Sequence, residues 1–387
     1  MRPRTPGIRV GALAPLSPPG MVAAGEELRA GVELAVRHLA GRGRRQIELI
    51  WGDTEGQPEL AREVVDGLIE DRVHAFLGEF HSVVADAIVE PIDAAGIPFV
   101  CASATLDAIT ARKLPHVFRL SPPQSVGWRV FADSVITAGF PRAIIATAGS
   151  AYWSAGADVL SARFAACGVE VERLAETGMT PGALADAVEA ALPGSNRQAL
   201  VVPLVGYPEP FAALAAELGR RGLLAGRLSL GDPAGRPALP DWWRQLGQLG
   251  AGVPFLAYAR PGELSPLGQE LAARFMREIG REPSFVALEG IDAVLALSAA
   301  LEAAGSGEPE PVTAALREIV TPGTRVPLRF TTTDEPPVHQ QLRWAPLCVV
   351  EYLIEGSSPS KARILYEPGV GNQSGGVGSQ LRGVIDA

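Results

Sequence analysis

The sequence predicts an α/β protein built as two units around parallel sheets, and three observations carry that expectation. Strand and helix patterns alternate strictly from Ile8 to Cys101, the order that gives a parallel sheet with right-handed crossovers. The alternation breaks after Leu120 at Ser121-Pro122-Pro123-Gln124 and then restarts. A strand-like run from Ala251 to Ala257 leads the chain back.

Each element has a local reason. Ile8 to Leu13 is a buried strand that empties into a Pro/Gly/Ser loop, and Glu26 to Leu39 carries Leu28, Val32, Ala35, Val36 and Leu39 on one helical face. Gln46 to Trp51 is the second strand, with Gly52-Asp53-Thr54 as its exit turn. Pro58 opens the next helix in the turn where proline is tolerated, with Leu60, Val64, Leu68 and Ile69 as its apolar face. Val73 to Leu77 is a strand ending at Gly78, Val84 to Ala95 a helix stopped by Gly96-Ile97-Pro98, and Phe99 to Cys101 a short strand. After Gln124 the spacing predicts helices over 128–138, 154–167, 181–192 and 210–221. They alternate with strands over 143–147, 169–174, 199–203 and 228–230. Helices over 267–279, 286–304 and 312–320 follow, the middle one apolar on nearly every side and therefore deeply packed. Late strands are expected over 325–330, 342–344 and 349–353, and residues 367–387 read as a Gly/Ser-rich tail.

Composition narrows the function classes. A chain of 387 residues with 47% hydrophobic and 20% charged residues can bury a sizeable core. A formal net charge of -9, with no long basic run, gives no electrostatic case for nucleic acid. Cys101, Cys167 and Cys348 have no paired spacing, which excludes a disulfide framework or a cysteine zinc site. His38, His74, His81, His116 and His339 show no metal-ligand spacing either, so neither metal nor cofactor is expected. No stretch is long and apolar enough to span a membrane. MRPRTPGIRV has basic residues but no apolar core of a signal peptide. Either an export signal has been removed or the protein is cytoplasmic, and the sequence does not separate the two.

The chemistry is expected at two strand exits. Val73–Leu77 opens into His81-Ser82, and Phe99–Cys101 opens into Ser103-Ala104-Thr105. Open α/β sheets bind ligands outside the carboxyl ends of their strands. Short hydroxyl side chains at such junctions add donors to a helix N-terminus, which is a ready anion site. The same hydroxyls are also suited to cap the helices they precede, and the two roles are compatible. No dinucleotide fingerprint, phosphate-binding loop or nucleophile elbow follows a strand, so no enzyme is expected.

The order IRVGALAPLS, amphipathic helix, IELIWGDTEGQPELAREVVDGLIEDRVHAFLGEFHS, then AGIPFVCASAT resembles the type I periplasmic binding proteins. Within them it is most similar to the branch that binds branched-chain amino acids and amides for ABC importers. The resemblance is best over 8–120 and weaker to about 298. It rests on Asp53 with Pro58 and Ala61 behind it, the Gly78-to-Ser82 turn, and Ala-Gly-Ile-Pro before Ser-Ala-Thr. It implies two Rossmann-like, three-layer lobes joined by three hinge crossings. Lobe 1 would be 7–120 plus 253–328, and lobe 2 would be 121–252 plus 329–366, with the tail 367–387 outside both.

The resemblance also implies roles. Ser82, Ser103, Ala104 and Thr105 would hold a ligand carboxylate, with His81 as a neighbour at the rim. Tyr207, in VGYPEP, would be a cleft tyrosine closing from lobe 2. Asp232, in SLGDP, would meet a ligand ammonium, and Tyr152 or Trp153 would line the cleft. The sequence departs from the branch at Ala24, where an aromatic is usual, and near Asp53, where a cysteine is missing. Both departures imply a wider pocket. The implied function is an extracytoplasmic solute-binding protein of an ABC importer, at the periplasm or cell surface. It would close on an amino acid, an aromatic acid or a similar carboxylate. Its partners would be that solute and the importer's permease subunits, with the chain a monomer or weak dimer. The alternative is a cytoplasmic ligand-sensing regulator of the same fold.

Overall fold

A computed structural model describes residues 7–42, 44, 46–175, 179–192, 198–344 and 346–369. The expected Gly/Ser-rich tail lies outside these from residue 370 onward. The described residues fall into two compact units, 7–123 with 263–344 and 124–262 with 346–369. The chain therefore passes between them three times.

In chain order the first unit runs β1 (Ile8–Ala14), α1 (Val22–Gly41), β2 (Ile47–Asp53), α2 (Pro58–Glu70) and β3 (Ala75–Gly78). It continues with α3 (Ser82–Ala94), β4 (Phe99–Cys101), α4 (Ala108–Ala111) and β5 (Val117–Arg119). The second unit runs α5 (Gln124–Thr137), β6 (Arg142–Thr147), α6 (Ala151–Ala166), β7 (Glu170–Ala175) and α7 (Pro181–Ala190). It goes on through β8 (Ala199–Leu204), α8 (Phe211–Arg220), β9 (Leu228–Leu230), α9 (Trp242–Leu246) and β10 (Phe255–Ala257). The chain returns to the first unit for α10 (Pro266–Ile279), α11 (Phe285–Ala304) and α12 (Pro309–Glu318). It ends in the second with β11 (Cys348–Glu351) and β12 (Arg363–Tyr366).

The first sheet is parallel in the order β2-β1-β3-β4-β5. Strand order grows outward from β1 in both directions, so right-handed crossovers place α1 on one face and α2 and α3 on the other. Helix packing agrees: α1 lies on α11, and α2 lies on α3. The second unit repeats the scheme in parallel order β7-β6-β8-β9 and adds an antiparallel sheet, β10-β11-β12. Each parallel sheet thus reverses its winding once, between β1 and β3 and between β6 and β8. Ligands of doubly wound folds bind at such switch points.

α11 is buried along almost its whole length, as its all-round apolar pattern predicts. Two acids on it would be costly there alone. Glu289 and Asp292 share Arg325 at 3.4 and 3.3 Å, and the hydroxyls of Ser121 and Thr324 donate to them at 2.7 and 2.8 Å.

Several expectations give way. Residues 329–344, expected with the second lobe, belong to the first unit. Gln341 fastens them there, its Nε2 donating to the Ser121 carbonyl at 2.9 Å and its Oε1 accepting from Arg119 Nε at 2.7 Å. The strands expected over 325–330 and 342–344 shrink to the isolated bridges Thr321–Leu328 and Phe330–Leu342. Pro327 lacks the amide that a ladder needs there. The strand expected over 251–257 keeps only its last three residues, because Gly252 adopts a positive φ of 73° and Pro254 follows.

Candidate functional site

In the first unit, the turn leaving β3 is built around a buried acid. Glu79 is fully buried, and its Oε1 accepts the amides of Phe80 and His81 at 2.9 and 2.8 Å. The Thr54 hydroxyl donates to its Oε2 at 2.9 Å. Burial pushes Glu79 up to about 7 against these donors. His81 accepts the Met21 amide on Nε2 at 3.0 Å, which ties the β1 exit to the β3 exit. Burial holds its imidazole down to about 4, so it is neutral and an acceptor at physiological pH. Asp53 organises the same β1 exit from β2, its Oδ1 accepting the amides of Leu16 and Glu55 at 2.8 and 3.0 Å.

Ser82 opens α3, yet it does not cap that helix. Its Oγ accepts the amides of Thr105 and Leu106 at 2.9 and 3.2 Å, joining the two hydroxyl loops. The loop from Ser103 to Leu106 is pinned from every side. The Ser103 amide donates to the Glu79 carbonyl at 3.1 Å, and the Ala104 amide is hydrogen-bonded to the Cys101 thiol. Fully buried Arg119 donates from Nη1 to the carbonyls of Thr105 and Leu106 at 3.2 and 2.7 Å. The backbone amides of this loop are thus committed inside the unit. That leaves side-chain hydroxyls and the first amides of α3 as the chemistry offered to an anion. The Ser103 hydroxyl stands beside the Glu289 carboxyl. Burial raises the Glu289 carboxyl, and Arg325, Ser121 and Ser103 pull it back.

In the second unit, Trp153, Tyr207 and Asp232 converge on one residue that sequence reasoning missed, Arg236, and Tyr152 packs on Trp153 beside them. Ser150 caps α6 by accepting the Trp153 amide at 3.2 Å, and the Gln124 side chain holds the Tyr152 carbonyl at 3.0 Å. The two rings lie 4.8 Å apart, with Trp128 packed on both. Gly156 makes room for Trp128, since a Cβ there would stand 1.8 Å from that ring. Tyr207 follows β8 and stacks on Trp242 at 6.1 Å and 20°, while its hydroxyl donates to Asp241 at 3.2 Å. Burial and Asp241 together raise the Tyr207 phenol well above its usual range.

Asp232 is 0% exposed and Arg236 2%. Arg236 Nε meets Asp232 Oδ2 at 2.8 Å, and the Ala234 amide donates to Oδ1 at 2.7 Å. Nη1 and Nη2 donate to the carbonyls of Val205 and Pro203 at 2.9 and 2.8 Å, at the carboxyl end of β8. The guanidinium lies 4.5, 5.3 and 5.9 Å from the rings of Phe211, Trp153 and Tyr207, within cation–π reach of all three. The signal in the sequence is the four-residue spacing in Asp-Pro-Ala-Gly-Arg, masked by its reading as a turn. Among the described residues, no group of three or more His, Cys, Asp or Glu is placed to hold a metal, and no helix is long and apolar enough to cross a membrane.

A family model described as periplasmic binding protein matches residues 7–344. Over 123 residues the chain is 31% identical to Leu/Ile/Val-binding protein homolog 7 of Brucella abortus (strain 2308), which is 31% of each chain. The match thus spans about a third of the length of that curated relative. A leucine binding protein from Thermotoga maritima MSB8 superposes with a TM-score of 0.77 at 18% identity, covering 93% of this chain and 98% of that one. An ABC transporter solute binding protein from R. palustris in complex with benzoate gives a TM-score of 0.76 at 22% identity, covering 94% and 96%. At these identities the likeness is one of fold.

Proposed function

Because the chain belongs to the periplasmic binding protein family, we propose that it is the extracytoplasmic solute-capturing component of an ABC importer. On this reading it takes a small carboxylate-bearing solute, an amino acid, an aromatic acid or similar, by hinge closure. The observation that carries the reading is topological. In each unit the residues expected to touch ligand gather at the carboxyl ends of strands beside the switch point: His81, Ser82 and Ser103 to Thr105 in one, Tyr152, Trp153 and Tyr207 in the other. The hydroxyls of Ser82 and Thr105 with the first amides of α3 are suited to the carboxylate, and the aromatic array to the ligand body. Structural neighbours that bind leucine and benzoate support both solute classes. A ligand touching both units favours the closed form by its extra contacts, and the closed form is the one an importer's permease subunits would receive.

A thermal-shift screen of amino acids, aromatic acids and amides on protein stripped of co-purified solute tests this. A solute at about 100 times its Kd should add about 2.7 kcal/mol of stability and raise the melting temperature by several degrees. No stabilisation by any member of the screen would count against the reading.

A further inference from the structure

The second unit narrows the solute class, and the narrowing rests on the solute-binding reading above. We propose that the ligand is a flat aromatic carboxylate without an ammonium group, not an amino acid. Recognition of an amino acid needs an acid or a cluster of carbonyls whose charge is unspent, facing the ammonium. Asp232, the residue that the family resemblance assigns to that task, is closed to it. Both its oxygens are occupied, by Arg236 and by the Ala234 amide, in a fully buried pair. Freeing Asp232 for a ligand would strand a buried guanidinium, and breaking a buried pair on one side is strongly unfavourable.

Four buried or half-buried acids near the other expected contacts are engaged as well. Asp241 accepts the Tyr207 hydroxyl, and Asp53 and Glu79 accept loop amides. Glu289 stands beside Ser103 with its charge answered by Arg325. In place of a receptive anion, the unit sets a buried, charge-paired guanidinium behind its rings. Arg236 already draws on the electron-rich faces of Trp153, Tyr207 and Phe211. A second cation brought to those rings would compete with Arg236 for the same electron-rich faces. A neutral aromatic ring needs no unspent anion, and the half-buried Tyr152, Trp153 and Tyr207 offer it flat apolar surface.

The test is calorimetric titration of the full stripped chain with four probes: benzoate, 4-hydroxybenzoate, phenylalanine and leucine. The expected result is that the better benzoate binds at least 100-fold more tightly than either amino acid. Trp153→Leu should weaken that binding at least tenfold while the unliganded melting temperature stays within a few degrees. Phenylalanine or leucine binding as tightly as the benzoates would overturn the inference and leave the solute-binding reading standing. Failure of all four, together with a silent thermal-shift screen, would overturn both.

Discussion

Glu79 and His81 stand two residues apart on the turn that leaves β3, and burial drives each toward its neutral form. Their effects on stability run in opposite directions. Folded Glu79 keeps its proton to about pH 7, whereas an exposed carboxyl releases it near 4.5. Its contribution is therefore full below pH 4.5 and is lost as pH rises through about 7. Folded His81 titrates at about 4 against 6.5 when exposed, so its contribution is full above pH 6.5 and is lost as pH falls through about 4. Glu79→Gln keeps an oxygen for the two loop amides and removes the titration. The stability difference, native chain minus variant, should fall by about 3 kcal/mol between about pH 4.5 and pH 8, read from urea unfolding at several pH values. A flat difference would mean that Glu79 is ionised in the folded protein throughout.

At the scale of elements, α1 and α11 touch because two glycines let their backbones meet. A Cβ on Gly31 would lie 2.1 Å from the Ala287 carbonyl oxygen, and one on Gly290 would lie 2.8 Å from that of Leu28. Neither acceptor is a movable side-chain end, so Gly31→Ala must push the helices apart. It should cost about 3 kcal/mol, the upper end for overpacking. Gly67 in α2 is the contrast, exposed and with nothing within 4 Å of a Cβ. Gly67→Ala should raise stability by about 0.5–1 kcal/mol, because only the unfolded chain loses freedom. Paired denaturation curves decide both signs. The helices and parallel strands themselves were legible from apolar spacing and from stops such as Gly96-Ile97-Pro98, because local pattern and tertiary burial agree there. β12 was not legible, since Arg363 to Leu365 are exposed and carry no alternation. The role of Ser82 was half legible. Its place at a strand exit follows from the sequence, but its acceptance of the Thr105 and Leu106 amides depends on the register of two neighbouring strands.

At the scale of the molecule, what escaped the sequence is what joins distant segments. Arg236 reads as turn punctuation until two strand-end carbonyls, rings and Asp232 are placed around it, and residues 329–344 read as part of the second lobe until Gln341 finds its partners in the first. Two of the three chain passages between the units lie near residues 123 and 345, and Gln341 links the segments that lead to both. Its Nε2 donates among the carbonyls of Arg119, Leu120 and Ser121, and its Oε1 receives buried Arg119. Gln341→Ala leaves the guanidinium Nε–H without its acceptor and takes a donor from those carbonyls in a dry site, at a cost of about 2–3 kcal/mol. Amide exchange should then quicken at Leu120, Ser121 and Leu342, whose amides bond within this seam. The amides of β8, in the other unit, should keep their protection. Gln341→Glu separates the two halves of the role. It still accepts from Arg119 but turns an oxygen toward carbonyl oxygens, so it should be no more stable than the alanine variant unless it is protonated. Glutamate rescuing full stability at neutral pH would show that the Arg119 contact alone holds the two segments together, and that the carbonyl bonds contribute nothing measurable.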